Sequence, residues 1–600
     1  MMKRIVLSFL ILLVMVSACK QEKPKSPVVL SLSSFHELVH PAYLINSDSI
    51  RQYVRMNLSG INDTMAWDSA MVSHYAADNA ALFWLKDGVS QYADSLLYWL
   101  ENSRRHGLNP ELFNVSDMQT DLERFRSLQL HEGETINQLL ARLECGLTSS
   151  YLFYACGLKF GFISPAQVLN NQEDDTNNQK QSDTKKQEKS YPIPLKECNK
   201  DFALEALESL KRNPFAAFRQ AQPVSSFYLS MQKELSRLDS LGEPELEEIP
   251  LIGDTLLKVG ERHRITPLIA RRLIQIGELK QVSGSMGDTL TLALLEAINR
   301  FRLTNNLSVD NSIGTYTIRY LNRPLAYYKD HLQINLERAR WQYKPEKGSK
   351  YVIGNIAAFM LQAFNEETDS ILEMRICCGS VRNKTPLLYS KIYYMELNPY
   401  WNVPQNIIRK EIIPSYRRDT TYFTRNRMKV YDRNGNRVNP HDIKWAKYTA
   451  GVPFTVKQDN KEGNSLGRII FRFPNPYAVY LHDTPSRRAF NRANRAVSHG
   501  CVRLERALDF AFFLFEKPDE LLEDRIRIAM DIAPKSDEGK KLNRSEAYRE
   551  LKHYSLKEAI PLFLDYQTMY LAADGKLSYC EDIYKYDDPL LEALNKLNHK

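Results

Sequence analysis

Near residue 350 the hydrophobic pattern of this chain changes its period, and this change constrains the fold more than any other feature. Before that point apolar residues recur every three to four positions, as along 93–100, which marks one face of a helix. After it they form short runs rich in β-forming residues, as along 371–378 and 388–397. Six hundred residues are also too many for one hydrophobic core. The sequence therefore predicts a multidomain α+β protein with helical domains first and a mainly β domain last.

The N-terminus has the pattern of a bacterial export signal. Lys3 and Arg4 precede an apolar run over 5–16, which is too short for a comfortable transmembrane helix. The run ends in Val-Ser-Ala-Cys19, which resembles a lipobox, so residues 1–19 are predicted to be a lipoprotein signal peptide with Cys19 lipidated. An ordinary signal peptide cleaved nearby is the alternative. Each buried CH₂ of an acyl chain contributes about 0.8 kcal/mol, so several chains on Cys19 would anchor the protein at the periplasmic side of the cell envelope.

The segments between this signal and residue 350 differ in composition. Residues 20–48 are polar and predict a tether. Residues 49–248 predict an α-helical scaffold domain, interrupted at 170–190 by a stretch without any apolar residue, which predicts a disordered insertion. Residues 249–326 predict a small helical domain, and 327–349 a linking helix.

Two histidines precede a cysteine at spacings that suit nucleophilic catalysis. His482 lies nineteen residues before Cys501, and His499 lies two residues before it. A cysteine nucleophile needs a neighbouring base, and Gly500 gives backbone room for a substrate carbonyl. The pattern of 504–515 predicts a helix that starts just after Cys501 and stabilises its thiolate. Cys501 is therefore the predicted nucleophile and His482 the predicted base.

The residues next to the nucleophile supply the predicted oxyanion donors and supports. The backbone N–H groups of Gly500 and Cys501 are expected to be oxyanion donors, and Ser498 to shape the turn. Tyr480, on the same strand face as the base, is expected to serve the oxyanion or the leaving group, with simple packing equally open. Three roles stay open for His499: it supports the thiolate, contacts substrate or packs in the turn.

The base also needs a group that orients its ring. Asp483 follows His482 directly, but adjacent residues of a strand point to opposite faces. A backbone carbonyl is therefore the expected partner of the His482 ring.

These motifs together resemble those of the L,D-transpeptidases, the cysteine enzymes that cross-link peptidoglycan. The motif of that family matches Tyr-Leu-His-Asp-Thr-Pro at 480–485 and Ser-His-Gly-Cys-Val-Arg at 498–503. Asn-Pro-Tyr-Trp-Asn-Val-Pro at 398–404, Lys-Thr-Pro at 384–386 and Asn-Ser-Leu-Gly at 464–467 resemble segments of its large multidomain branch, typified by the periplasmic enzyme of enteric bacteria. The resemblance extends from about residue 50 to the end of the chain.

The resemblance implies a fold and a reaction. It implies a mainly β catalytic domain over 350–600, with an irregular lid at 399–450. It also implies that 249–326 is similar to a peptidoglycan-binding helical domain, although a plain packing unit stays open. The reaction would form a thioester on Cys501 from a tetrapeptide stem, release the terminal D-residue and make a 3→3 cross-link. The expected partners are peptidoglycan stem peptides, the membrane through the lipid anchor, and carbapenem β-lactams as covalent inhibitors, with no cofactor.

For two further residues a substrate-binding role and a structural role are both open. Arg503 binds a carboxylate of the stem or pairs structurally with an acid such as Glu505. Trp401 lines the donor groove or packs.

Several alternatives remain beside the transpeptidase. With water as acceptor the enzyme would be an L,D-carboxypeptidase, and with a protein lysine it would attach proteins to the wall. A wall-binding lipoprotein with a decayed catalytic domain is a non-enzymatic reading. A zinc site at His482, His499 and Cys501 lacks a fourth ligand, and the Thr-Leu-x-Thr-Cys motif of sortases is absent. No nucleic-acid-binding motif accompanies the arginines at 487, 488, 492 and 495, so nucleic acid is not an expected partner.

The other cysteines show no paired motif. Eight occur, and removing Cys19 and Cys501 leaves six without regular spacing. Most are expected to be buried thiols, and one disulfide is possible in an exported protein.

Overall fold

The computed structural model describes residues 41–597 apart from 61–64, 86–88, 170–191, 281–286, 449–450, 461 and 518. The predicted signal peptide with Cys19, the tether up to residue 40 and the predicted insertion at 170–190 lie outside the described residues. The end of the predicted tether is ordered. Helix α1 starts at Ser47, because the Asn46 side chain caps it by accepting from the Ser49 amide at 2.8 Å.

Twenty α-helices occur among the described residues. They are α1 Ser47–Leu58, α2 Ala66–Tyr75, α3 Gln91–Glu101, α4 Val115–Ser127, α5 Ile136–Phe160, α6 Pro165–Leu169, α7 Lys200–Leu210, α8 Ala216–Ala221, α9 Ser226–Ser240, α10 Thr266–Gln275, α11 Leu292–Thr304, α12 Thr315–Leu321, α13 Leu325–Arg338, α14 Gln405–Ile407, α15 Ile413–Arg418, α16 Tyr422–Arg425, α17 Ala507–Phe513, α18 Glu520–Ala529, α19 Asp537–Arg544 and α20 Asp587–Leu597.

The strands are concentrated after residue 350, as the change of period predicts. They are β1 Leu257–Lys258, β2 Ser312–Ile313, β3 Lys350–Asn355, β4 Met360–Asn365, β5 Ser370–Gly379, β6 Leu388–Leu397, β7 Trp401–Asn402, β8 Met428–Tyr431, β9 Arg437–Val438, β10 Thr455–Gln458, β11 Ile469–Arg472, β12 Leu481–His482, β13 Ala496–Ser498, β14 Val502–Leu504, β15 His553–Asp565, β16 Met569–Leu571 and β17 Leu577–Tyr579.

The chain forms two compact units, of which the first is helical. Its described residues are 41–160 and 197–222, with Leu597. The 25-residue helix α5 is central, and α1, α2, α4, α7 and α8 pack on it. Cys156 at the end of α5 forms a disulfide with Cys198, so the one disulfide that the sequence allows is present.

The second unit contains a helical core and a closed sheet. Its described residues are 161–169, 192–196 and 223–596. Helices α9 to α13 share one hydrophobic core, to which Met569 and Tyr579 of the β16–β17 hairpin also belong. The segment predicted as a peptidoglycan-binding-like domain therefore packs together with the helices on either side of it.

Eight strands of the second unit close into a barrel. They hydrogen-bond in the order β5, β14, β12, β11, β6, β15, β3, β4, and β4 pairs again with β5. The strand β15 is antiparallel to β6 and parallel to β3, so it joins the two halves of the sheet. Helix α17 covers the sheet, with the rings of Phe510 and Phe471 4.8 Å apart. The α+β fold is thus confirmed, with its β part closed on itself.

The prediction that a helix starts immediately after Cys501 is wrong. Residues Val502–Leu504 form strand β14, which pairs with β12 and β5, and helix α17 starts only at Ala507. Val502 and Leu504 are both fully buried in the barrel core, and this packing outweighs local helix propensity. Cys501 therefore lies before a strand and gains no stabilisation from a helix N-terminus.

The segment predicted as an irregular lid has regular structure of its own. Strands β7, β10, β8 and β9 form a four-stranded sheet, and α14, a π-helical turn at Ile408–Ile412, α15 and α16 pack beside it. Thirteen buried side chains within 403–456 form a separate hydrophobic core, in which Phe423 and Trp445 stack at 5.6 Å. Tertiary packing of these scattered apolar residues explains why no clean period marks them in the sequence.

Candidate active site

The pairing of two short strands sets the positions of the predicted nucleophile and base. Strands β12 and β14 are parallel, with Leu481 opposite Val502 and His482 opposite Arg503. The Val502 amide donates to the Tyr480 carbonyl at 3.1 Å, which places Tyr480 level with Cys501. Because side chains alternate along a strand, Tyr480, His482, Cys501 and Arg503 share one face of the sheet. The predicted base is then a diagonal neighbour of the predicted nucleophile.

The His482 ring is buried and oriented by backbone. Its Nδ1 lies 2.5 Å from the Asp483 carbonyl oxygen, and because a carbonyl only accepts, Nδ1 carries the proton. The expectation of a backbone carbonyl as orienter is thereby confirmed. Burial, and then the charge of Arg503, lower the pKa of His482 to about 4, although the carbonyls of Asp483 and Leu466 act in the opposite sense. The imidazole is therefore neutral at neutral pH and can accept a proton on Nε2.

The Asp483 side chain points to the other face of the strand, where it holds neighbouring residues through hydrogen bonds. Its carboxylate accepts from the Arg468 amide at 2.9 Å and from the Arg487 guanidinium at 2.6 Å. A Cβ on Gly467 would meet it at 2.4 Å, and Gly467 has a φ of +67°. The motif glycine at 467 is therefore required by this close approach.

The Cys501 thiol lies against Tyr480. Burial raises the pKa of the thiol, while hydrogen bonds from the Tyr480 backbone and hydroxyl and the charges of Arg472 and Arg503 oppose this rise. Burial also raises the pKa of Tyr480, so its hydroxyl stays protonated and can donate. The resting site thus has a thiol and a neutral imidazole on one sheet face, with a tyrosine hydroxyl in contact with the sulfur.

The turn that carries Cys501 is held by Ser498. The Ser498 hydroxyl donates to the Cys501 carbonyl at 2.6 Å and accepts from the Gly500 amide at 3.1 Å. Ser498 therefore shapes the turn as expected, but it also occupies the Gly500 N–H, so the expectation that Gly500 is an oxyanion donor is wrong. The Cys501 amide has no acceptor within the described part of the chain and remains available.

Two buried residues that the sequence reading gave no role support this turn, Thr385 directly and Tyr584 through Thr385. The Thr385 hydroxyl donates to the Gly500 carbonyl at 2.8 Å, and the Tyr584 hydroxyl accepts from the Thr385 amide at 3.0 Å. Thr385 lies in the Lys-Thr-Pro segment at 384–386, so the resemblance of this segment to the family marked the residue. The contact of Thr385 with Gly500 is visible only in the structure.

Arg503 has no ion-pair partner among the described residues, and its Nε is buried without a hydrogen bond. Glu505, the acid considered for it, instead pairs with Arg375. The structural pairing of Arg503 with Glu505 is therefore wrong. A cation without a counter-ion beside His482 is suited to receive an anionic group.

His499 contacts the segment predicted as a lid. Its Nε2 pairs with the carboxylate of Glu411, which lies in the π-helical turn. Both side chains are partly exposed, so this contact joins the turn before Cys501 to the lid at the protein surface.

Trp401 packs against the hydrophobic core of the lid and pairs through its backbone with Gln458 of β10. This favours the packing reading over the groove-lining one. Of the arginines before Cys501, Arg495 is buried and stacks on Phe359 at 5.2 Å, and Arg487 pairs with Asp483. At least two members of the basic cluster are thus structural.

Within the described residues no group of three or more His, Cys, Asp or Glu side chains has the arrangement of a metal site. Among the same residues no helix is long and apolar enough to cross a membrane.

Comparison with known proteins matches two parts of the chain. Residues 349–517 match the family model of the L,D-transpeptidase catalytic domain, and residues 69–235 match that of a scaffold domain. A Haemophilus influenzae protein with the provisional name L,D-transpeptidase is 33% identical over 233 residues, which are 39% of this chain and 44% of that protein. The match thus spans less than half of that relative.

A solved structure is also similar to part of the chain. It is an L,D-transpeptidase fragment, residues 123–326, from Xylanimonas cellulosilytica, with 14% identity over 44% of this chain and 90% of its own. Its TM-score is 0.14, so it has no weight for the fold. The two family models and the relative confirm the resemblance to L,D-transpeptidases.

Proposed function

This chain carries an L,D-transpeptidase catalytic domain over residues 349–517, and we propose that it is a peptidoglycan L,D-transpeptidase. In this proposal Cys501 is the nucleophile and His482 is the base. One observation supports this assignment most. A buried imidazole with its proton fixed on Nδ1 shares a sheet face with a thiol that contacts a tyrosine hydroxyl. This is the set of groups that acyl transfer to sulfur requires.

The first half-reaction forms a thioester. The Cys501 sulfur attacks the carbonyl between the L- and D-centres of a tetrapeptide stem while Nε2 of His482 takes the thiol proton. The carbonyl oxygen becomes an oxyanion, which the Cys501 amide and the Tyr480 hydroxyl stabilise. The C–N bond then breaks, and the imidazolium returns the proton to the leaving amine of the terminal D-residue.

The second half-reaction transfers the acyl group. An amine of a neighbouring stem attacks the thioester, His482 takes its proton, and the Cys501 thiolate leaves and is reprotonated. The product is a 3→3 cross-link. Water in place of the amine would give an L,D-carboxypeptidase, and a protein lysine would give attachment to the wall. Glu411, in the segment predicted as a lid, contacts His499 of the turn before Cys501, and this contact supports our proposal that the lid controls acceptor access.

Arg503 is proposed to bind a carboxylate of the stem. Its guanidinium has no counter-ion in the described chain and lies level with His482 on the neighbouring strand. A carboxylate placed there would gain a charge-assisted hydrogen bond and would fix the register of the stem beside Cys501.

Location and inhibition belong to the same proposal. The lipobox-like segment at 16–19 supports a lipoprotein held by Cys19 at the periplasmic face of the envelope, which brings the enzyme to its polymer. A thiol with an oxyanion site should also open the strained ring of a carbapenem and remain acylated. The helices at 249–326 are proposed to bind peptidoglycan.

The test of the function uses the mature protein and a disaccharide-tetrapeptide. Mass spectrometry should detect the cross-linked dimer together with the released D-residue. Cys501→Ala should abolish both products, whereas Cys145→Ala, which removes a partly exposed thiol of the helical unit, should leave them unchanged. Activity that survives in Cys501→Ala would contradict the nucleophile assignment.

The non-enzymatic reading has a separate outcome. A wall-binding protein with a decayed site would give neither product, no carbapenem adduct and no reactive thiol, while still binding isolated peptidoglycan. The intact set of Cys501, His482 and Tyr480 favours the enzyme.

A further inference from the structure

The position of the Cys501 amide depends on a buried hydrogen-bond network outside the catalytic strands. The Gly500 carbonyl and the Cys501 N–H belong to one peptide group, which is planar and trans, so they point in opposite directions. Whatever holds the Gly500 oxygen therefore aims the Cys501 N–H.

The Thr385 hydroxyl is the group that holds this oxygen. It donates to the Gly500 carbonyl at 2.8 Å, and it accepts from the Gly379 amide at 2.8 Å. Because Gly379 supplies a hydrogen to the hydroxyl, the hydroxyl's own hydrogen is free to go to Gly500. Thr385 is fully buried, so water cannot replace either bond.

The Tyr584 hydroxyl fixes Thr385 in turn. It donates to the Gly379 carbonyl at 2.6 Å and accepts from the Thr385 amide at 3.0 Å, so one phenol joins both residues. The space here is tight, since a Cβ on Gly379 would meet the Asn383 carbonyl oxygen at 2.1 Å. Tyr584 is itself buried and stacks on Tyr566.

The peptide after Gly500 needs such support. Gly500 has a φ of +117°, a region that only glycine visits easily and where the backbone has no side chain to restrain it. Ser498 restrains the preceding amide and the following carbonyl, but not the peptide group between residues 500 and 501.

We propose that Thr385, supported by Tyr584, is a positioning residue that aims the Cys501 N–H at the oxyanion of the acyl-transfer step. This inference rests on the proposed function. It assigns the Thr385 hydroxyl an effect on acyl transfer that is separate from any effect on the thiol, because its bond reaches the peptide group and not the sulfur.

The test separates acylation from plain alkylation of the same cysteine. Acylation of full-length protein by meropenem develops an oxyanion, whereas alkylation by iodoacetamide needs only the sulfur. Thr385→Val, which keeps the shape and removes the hydroxyl, should slow acylation about 10- to 100-fold, since losing one oxyanion donor outright costs about 10²- to 10³-fold. Its rate of iodoacetamide alkylation at Cys501 should stay within about twofold of wild type.

Two further variants complete the experiment. Thr385→Ser keeps the hydroxyl and should retain acylation within a few-fold of wild type, and Tyr584→Phe should give a smaller loss than Thr385→Val with the same selectivity for acylation. Tyr584→Phe also serves if Thr385→Val does not fold, as judged by thermal unfolding.

The failures are distinguishable. A wild-type protein that meropenem does not acylate would contradict the proposed function itself. Wild-type acylation together with unchanged acylation in both Thr385→Val and Tyr584→Phe would overturn the positioning role. Equal losses of acylation and alkylation would also overturn it, because they would show a general disturbance of the turn.

Discussion

At the residue scale, His482 as the proposed base is expected to set how the proposed reaction responds to pH. Its pKa is lowered to about 4, so the imidazole stays neutral and able to accept a proton down to mildly acidic pH. The rate of carbapenem acylation should therefore fall only as pH decreases through about 4, well below the ordinary histidine pKa of about 6.5. His482→Ala should slow acylation about 10²- to 10⁴-fold at neutral pH. Intact-mass spectrometry over time measures both effects. An adduct on buried Cys377 or Cys580 would contradict the site.

The charge of Arg503 helps to lower the pKa of His482, and a substitution of Arg503 can measure this contribution. Its positive charge disfavours the imidazolium, so Arg503→Met should raise the pKa of His482 toward its ordinary value. The pKa should remain below that value, because burial is the larger cause. NMR titration of the His482 ring in the Cys501→Ala protein gives the pKa directly. Arg506→Met, which removes an exposed arginine paired with Asp509, is the matched control and should leave the titration unchanged.

Residue types and spacing in the sequence led to the proposed catalytic residues, but they did not reveal the hydrogen bonds that hold the backbone of the site. Residue types at a characteristic spacing predict Cys501 as nucleophile and His482 as base, and the structure brings both residues to one sheet face. The occupation of the Gly500 amide by Ser498 and the contact of Thr385 with Gly500 could not be predicted. Such bonds depend on how turns far apart in sequence fold against each other, which no periodicity records.

At the element scale, helix α5 of the first unit contains a carboxyl group that makes the unit's stability depend on pH. Glu144 is fully buried, and burial raises its pKa to about 7, although Tyr75 and the Phe83 and Trp84 amides donate to it. The folded state therefore holds a proton that the unfolded chain loses near pH 4.5. Stability from this group is present in full below pH 4.5 and is lost as pH rises through 7.

The expected size follows from the shift in pKa. The difference between a pKa of about 7 in the folded state and 4.5 in the unfolded chain corresponds to roughly 3 kcal/mol of stability. Chemical unfolding of the protein at pH 5 and pH 8 should show a lower free energy of unfolding at pH 8. In Glu144→Gln, which cannot titrate, that difference should shrink. An unchanged difference would mean that other groups cause the pH dependence.

Elements with a strong local pattern were predicted well, and those set by tertiary pairing were not. The helical face along 93–100 lies within α3, and the β-forming runs along 371–378 and 388–397 lie within β5 and β6. Strand β14 has only three residues, and its apolar positions also fit the helix that follows, so its strand state depends on β12 and β5. The lid looked irregular for a similar reason, since its core residues are spread over more than fifty positions.

At the scale of the whole molecule, the order of strands in the barrel determines which part of the chain can fold alone. The catalytic-domain match ends at residue 517, but β15 lies between β6 and β3 and comes from residues 553–565. Without β15 the closed sheet would open and expose two long unpaired strand edges, which favour aggregation. The hairpin that follows β15 also contributes Met569 and Tyr579 to the helical core.

A fragment of residues 349–517 should therefore fail to fold, although it contains Cys501, His482 and Tyr480. A fragment of residues 223–597 contains the complete barrel, the lid and helices α9 to α13, so it should unfold cooperatively on heating and acquire one meropenem adduct. Circular dichroism with thermal melting measures the fold of both fragments, and intact mass measures the adduct. A cooperative transition in the short fragment would show that β15 is dispensable. If the short fragment also formed the Cys501 adduct, the site would need only the strands around β12 and β14. The remaining strands would then not be required for acylation of Cys501.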